Sequence, residues 1–204
     1  MATQASDSVV HRETNYKLAR RAGAGLLNVF AALGYRPQGI CTACDAGYLA
    51  EYSVMDRRLF LSGLRVEPPG EFYAPNHVGE LPEPFGAPGN RGGLLGVFYY
   101  EGLSEPMDFT GGLILGDGFI RDLYFHGGSH PAWKYTQVLE LIFDSDVLVE
   151  EYDRSASMAD YRSQHERYWK TKWAPGKSPE FDLLADMYAD CFLLDYSLRR
   201  RRQG

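Results

Sequence analysis

The stretch Cys41–Val66 reads CTACDAGYLAEYSVMDRRLFLSGLRV, and its second part alternates as a strand does. In Tyr48–Val54 the side chains of Ala50, Tyr52 and Val54 share one face, with Leu49, Glu51 and Ser53 on the other. Met55-Asp56-Arg57-Arg58 supplies a polar turn, and Arg58–Val66 returns as a second apolar strand. Gly63, inside that strand, marks a bulge or a close backbone approach. An antiparallel hairpin is the expectation, and it sets a β-based fold.

Downstream, more short runs rich in aliphatic and aromatic residues follow: Gly93–Tyr100, Met107–Leu115, Phe119–His126, Thr136–Phe143 and Val147–Tyr152. The turns between them are read at Gly116-Asp117-Gly118, Gly127-Gly128-Ser129 and Asp144-Ser145-Asp146. Strands at this spacing predict an antiparallel meander of about six to seven strands. Between hairpin and meander, residues 67–92 carry prolines at 68, 69, 75, 82, 84 and 88. Proline fixes φ and removes a donor, so no helix or central strand can run through them. The segment reads as a loop laid over the sheet, a lid whose ligand-facing candidates are Tyr73, His77 and Phe85.

The flanks read as helical. From Thr14 to Leu33 the apolar residues Leu18, Ala22, Leu26 and Leu33 recur at helical spacing. Gly23 and Gly25 would weaken that helix by about 1 kcal/mol each, and Gly34 and Pro37 end it. Residues 1–12 are polar and read as a flexible arm. Residues 13–154 are then a single α+β domain, and 155–204 a C-terminal helical pair packed on the same core. In that pair Met158, Tyr161 and Tyr168 recur at helical intervals. Ser178 caps the second helix, with Pro179 at its first position.

Bulk properties narrow the function. The chain of 204 residues has 45% hydrophobic residues and a net charge of −6, globular values that argue against nucleic-acid binding. The N-terminus lacks a signal peptide's apolar stretch, and no run reaches the roughly 20 residues of a membrane helix. With only three cysteines, the expectation is a cytoplasmic protein with free thiols and no cofactor.

Candidate chemistry is sparse. Cys41-Thr42-Ala43-Cys44 has CxxC spacing, but no second CxxC or CxxH completes a zinc site. The pair also precedes a strand, where a redox pair would open a helix. Asp122, Tyr124 and His126 would share one face of the Phe119–His126 strand, with His130 just past the glycines. A histidine near a carboxylate is the raw material of acid–base catalysis. Alternation alone produces such polar faces as well. Nucleotide-binding, nucleophile-elbow and zinc-helix motifs do not occur. The Arg199–Arg202 run complements the end of the last helix.

The central stretch resembles a family of small uncharacterised bacterial proteins with a Ser-Thr-Ala-Cys-Trp-Arg-Gly-Tyr signature, followed by Thr-Trp-Glu-Ile and a Leu-Tyr-Leu strand. Thr42-Ala43-Cys44, Gly47-Tyr48, Glu51-Tyr52-Ser53-Val54 and Leu59-Phe60-Leu61 occupy the corresponding places. Phe109-Thr110-Gly111, Tyr124-Phe125-His126-Gly127 and Leu139–Phe143 are similar to its later strands, so the resemblance spans roughly residues 35–153. Cys41 stands where the signature has Ser, and Asp45-Ala46 where it has Trp-Arg. The resemblance implies a fold and no chemistry.

The leading expectation is a non-enzymatic module that binds a protein partner, a basic one by charge, as bacterial immunity proteins do. The alternative is a small-molecule enzyme or binder using Asp122, Tyr124, His126 and His130 beneath the Pro-rich loop. Emission spectroscopy on fresh protein should find no stoichiometric zinc. One ion per chain surviving dialysis would reinstate Cys41 and Cys44 as ligands.

Overall fold

The computed structural model describes residues 4–37, 39, 43–67, 83–92, 97–124 and 130–164. Nine strands form one mostly antiparallel sheet. They are β1 (Ser8–His11), β2 (Thr14–Ala24), β3 (Tyr48–Met55), β4 (Arg58–Val66), β5 (Asn90–Gly92), β6 (Val97–Pro106), β7 (Thr110–Phe119), β8 (Tyr135–Asp144) and β9 (Val147–Asp153). Among the described residues two α-helices accompany them, α1 (Val29–Leu33) and α2 (Ser155–Gln164). The α+β class stands, and the described residues hold more strand and less helix than the sequence suggests.

The strand order is β3-β1-β2-β7-β8-β9-β4-β6-β5, and β3 also pairs with β4. That added pairing closes the run from β3 to β4 into a ring, with β6 and β5 branching from it. The closing seam at β9 is short. Arg58 pairs with Val147, Leu59 N–H donates to Asp146 O (3.1 Å), and Leu148 N–H donates to Arg57 O (2.7 Å). The Arg57 guanidinium also donates to the Leu148 carbonyl, and Arg58 pairs with Asp146 at 2.8 Å. Farther along β9, Glu151 receives His11 at 3.3 Å and Arg12 at 3.0 Å. β9 thus binds the tips of both the β3–β4 and β1–β2 hairpins.

The interior of the ring is filled. Val9, Tyr52, Leu59, Leu61, Phe98, Leu113, Leu115, Leu141 and Phe143 are essentially without solvent contact and belong to one cluster. Bulges keep this face apolar. Across the β3–β4 pair, Glu51 faces Gly63 and Tyr52 faces Leu61, so Ser62 is the extra residue. Leu59 and Leu61 before it and Leu64 and Val66 after it then all reach the core. The expected hairpin, its inward Ala50, Tyr52 and Val54, and the bulge at Gly63 are all present.

A second apolar layer covers the outside of β7 and β8. Ile114, Trp133, Tyr135 and Val138 pack there with Met158 and Tyr161 of α2. Gly116 permits it, because a Cβ there would stand 2.5 Å from the Tyr135 ring. Glu140, fully buried on the same face, receives the Arg154 guanidinium through Nε (2.9 Å) and Nη2 (2.6 Å). Arg154 itself lies over the Tyr152 ring, 4.7 Å from its centroid.

Several expectations are overturned. Residues 1–12 are not a loose arm throughout, since Ser8–His11 pairs with β2 and β3. Thr14–Leu33 is not one helix: β2 takes its first part, and only Val29–Leu33 is helical, capped by Asn28 and Gly34. Gly23 instead lies opposite Gly111 across β2–β7, where a Cβ on Gly23 would stand 2.2 Å from the Thr110 carbonyl. The sheet is no simple meander of six to seven strands, because β1 and β3 run parallel and β1 intervenes between β2 and β3. Gly116-Asp117-Gly118 lies within β7, which ends at Phe119, and Arg121–Leu123 of the third expected run is a 3-10 turn. The helix expected after Ser178 lies outside the described residues. No helix among the described residues is long and apolar enough to cross a membrane.

Removing one partner of a buried ion pair leaves an uncompensated charge and costs about 3–5 kcal/mol. Arg154→Ala should therefore lower the unfolding free energy by roughly that amount in urea titrations. Glu140→Leu with Arg154→Leu should recover most of the loss.

Candidate functional site

β7 and β8 stop pairing at Phe119 and Tyr135, and residues 120–124 and 130–134 meet there in a corner. Arg121–Leu123 and Ala132–Lys134 each form a 3-10 turn. Ile120 N–H donates to Lys134 O at 2.9 Å, and Tyr124 N–H donates to Arg121 O at 2.9 Å. This backbone carries Tyr124 and His130 to the same place. The His130 ring lies 4.5 Å from the Phe119 ring and 5.6 Å from that of Tyr124. Phe119 also meets Tyr135 edge to face at 5.6 Å.

The corner contains a group that sequence reading overlooked. Lys134 is 2% exposed, its Nζ is 3.5 Å from His130 Nδ1, and it lies 5.3 Å from the centroid of the Trp133 ring. Burial brings the Lys134 ammonium down to about 8. Burial, then the Lys134 charge, brings His130 down to about 4. Near neutrality the imidazole is therefore uncharged, and Lys134 donates to its Nδ1. Burial also pushes the Tyr135 phenol up to about 12. A lysine held near its neutral form beside a neutral imidazole can pass a proton to a bound molecule and take one back. The only outward signal was its setting, a lysine between Trp133 and Tyr135 just after His130-Pro131.

The other candidates fall differently. Asp122 sits exposed in the 3-10 turn, and no hydrogen bond or ion pair joins it to His130 among the described residues. The strand expected to carry Asp122 and Tyr124 does not form, because Arg121–Leu123 is a 3-10 turn. His126, Tyr73, His77 and Cys41 lie outside the described residues. Phe85 is 40% exposed and lines a groove of about 360 Å³ with Leu26, Leu27, Ala31 and Met107. Cys44 is buried, its thiol donating to Tyr48 O at 3.4 Å. Among the described residues no group of three or more His, Cys, Asp or Glu could hold a metal ion.

Comparison of the chain with protein-family models, curated proteins and solved structures finds no match.

The shifts of His130 and Lys134 fix the sign of a pH dependence. In the unfolded chain His130 binds a proton near 6.5, whereas in the folded chain it does so near 4. Its contribution to stability is lost as pH falls through that window. Lys134 acts on the alkaline side: its burial penalty is relieved as pH rises from about 8 to 10.5. Thermal unfolding of wild type and His130→Gln between pH 3.5 and 7.5 checks the first statement. The wild type should lose more stability on acidification, and parallel curves would refute it.

Proposed function

We infer that the protein binds a small molecule at the Phe119–Tyr124–His130 corner, with His130 and Lys134 as the acid–base pair that meets it. The observation carrying this reading is the 3.5 Å contact between His130 Nδ1 and the buried Lys134 amine. Such pairs are costly to bury, and groups with strongly displaced protonation concentrate at working sites. The rings of Phe119 and Tyr124 offer an apolar wall for a planar or aliphatic ligand, and Tyr124 is 46% exposed. A thermal-shift screen against a metabolite panel tests the reading, because a ligand selective for the folded state raises the melting temperature by mass action. A compound active on the wild type should lose about tenfold or more in affinity against both Lys134→Met and His130→Gln. Unchanged shifts in both variants would remove the corner from consideration.

A second reading, a protein-binding module of the immunity type, draws support from a separate feature. Phe30 is 61% exposed on α1, and Phe85 lines the nearby 360 Å³ groove. Exposed aromatic side chains are enriched where proteins dock, and the net charge of −6 suits a basic partner. On that reading, Phe30→Ser with Phe85→Ser keeps the unfolding midpoint while abolishing a stoichiometric complex in gel filtration. A complex that survives the double substitution would move the interface elsewhere.

A further inference from the structure

A different part of the molecule has an opening lined by a carboxylate, Asp7, and by two arginines, Arg20 and Arg21. Residues 4–7 lead into β1 and are fixed on both sides. Ala5 N–H donates to Ala43 O (2.7 Å) and Leu18 N–H to Asp7 O (2.9 Å). Asp45 N–H donates to Gln4 Oε1 (3.0 Å). The lead-in leaves a cleft of about 270 Å³ lined by Gln4, Ser6, Asp7, Leu18, Arg21 and Tyr48, among others. That is slightly below the usual range for drug-sized pockets, so its occupant is small.

Asp7 is positioned, not free. Its Oδ1 accepts the Ala50 N–H at 2.9 Å, while Oδ2 has no protein donor among the described residues. Burial raises the Asp7 carboxyl, an effect opposed by the Ala50 hydrogen bond and the Arg21 charge. Arg21 is exposed at the rim and makes no ion pair among the described residues, although it is near enough for its charge to reach Asp7. Behind them lies Tyr52, 1% exposed, whose phenol is raised chiefly by burial and then by Asp7. A carboxylate and a guanidinium that reach the same opening can each bind one end of a ligand carrying the opposite charges. Here no ion pair joins them among the described residues, and both line the cleft, Asp7 from the lead-in to β1 and Arg21 from β2.

We propose that this cleft binds a small zwitterion of the α-amino acid type, its ammonium on Asp7 and its carboxylate on Arg21. An anion alone would meet the Asp7 carboxylate, and a cation alone would meet Arg21. A ligand carrying both charges satisfies both, and the planar guanidinium offers a carboxylate two parallel hydrogen bonds. The small volume leaves room for little beyond the charged groups and a short side chain. This site is independent of the His130–Lys134 corner, which shares none of its residues.

The test is a titration of the full chain, followed by amide NMR at constant ionic strength. The probes are L-alanine, propionate (alanine without its ammonium) and ethylamine (alanine without its carboxylate). L-Alanine should give saturable shifts around Asp7, Arg21 and Ala50, with affinity about tenfold or more above either half-ligand. Asp7→Asn keeps an acceptor for Ala50 N–H and removes only the charge, so its fold is retained. It and Arg21→Gln should each weaken L-alanine by about tenfold or more. The proposal is overturned if L-alanine gives no saturable shift, binds no better than propionate or ethylamine, or is indifferent to both substitutions.

Discussion

β4 bonds on both of its edges, to β3 along one side and to β6 and β9 along the other, and the rest of the fold depends on that. A sheet of nine strands left open would present long unpaired edges and a twisted apolar face needing a second layer. Pairing β3 with β4 turns the face inward on itself, so the ring supplies its own cover. The seam toward β9 is secured by few backbone bonds. Arg57, Arg58, Arg12 and His11 make up for this from the hairpin tips, anchoring to β9 through Leu148 O and Glu151 and to the turn before it through Asp146.

Closure has a consequence for function. Tyr52, Tyr100, Phe98, Phe109 and Phe143 are all fully buried, and with the aliphatic residues they fill the ring. The interior is therefore a core and not a ligand chamber. Chemistry is left to the perimeter, where strands end and backbone groups must find partners outside the ladder. Both polar constellations arise there, one where β7 and β8 part at Phe119 and Tyr135, the other where the lead-in to β1 passes between β2 and β3. The outer layer on β7 and β8 adds a second low-dielectric region, which takes up Glu140 with its arginine and Lys134 with its imidazole.

How much of this was legible in the sequence follows from local chemistry. The central hairpin was readable because alternation and a polar turn agree, and Gly63 flagged its bulge. The β8–β9 hairpin was readable through Asp144-Ser145-Asp146, whose Ser145 and Asp146 have φ of 50° and 68°. The β1–β2 hairpin was hidden because its turn is Arg12-Glu13, at φ 49° and 66°, residues that do not advertise a left-handed turn. A register shift between Leu18 and Arg20 then broke the alternation of β2, leaving apolar residues at a spacing that imitates a helix. Its glycines looked like helix defects, yet Gly23 and Gly111 are where two backbones approach too closely for any Cβ. Tyr124 was singled out for a strand face and His130 for its place past the glycines; Arg121–Leu123 is a 3-10 turn instead, and the corner brings the two rings together. Lys134, Asp7 and Arg21 could not be found by pattern, because each acquires meaning only from partners that the register and the closure deliver.

The His130–Lys134 pair shows how register becomes chemistry. Pairing of β7 with β8 ends at Phe119 and Tyr135, so the Lys134 carbonyl is taken by Ile120 N–H. That bond fixes the backbone of Lys134 beside the outer apolar layer. The side chain can then keep its stem among Trp133 and its neighbours while Nζ comes within 3.5 Å of His130 Nδ1. The same rings that exclude water from this corner disfavour charge on both groups, and proximity makes the second charge costlier than the first. Near neutrality the pair carries one positive charge, on the amine, with the imidazole neutral, a consequence of where two strands stop pairing.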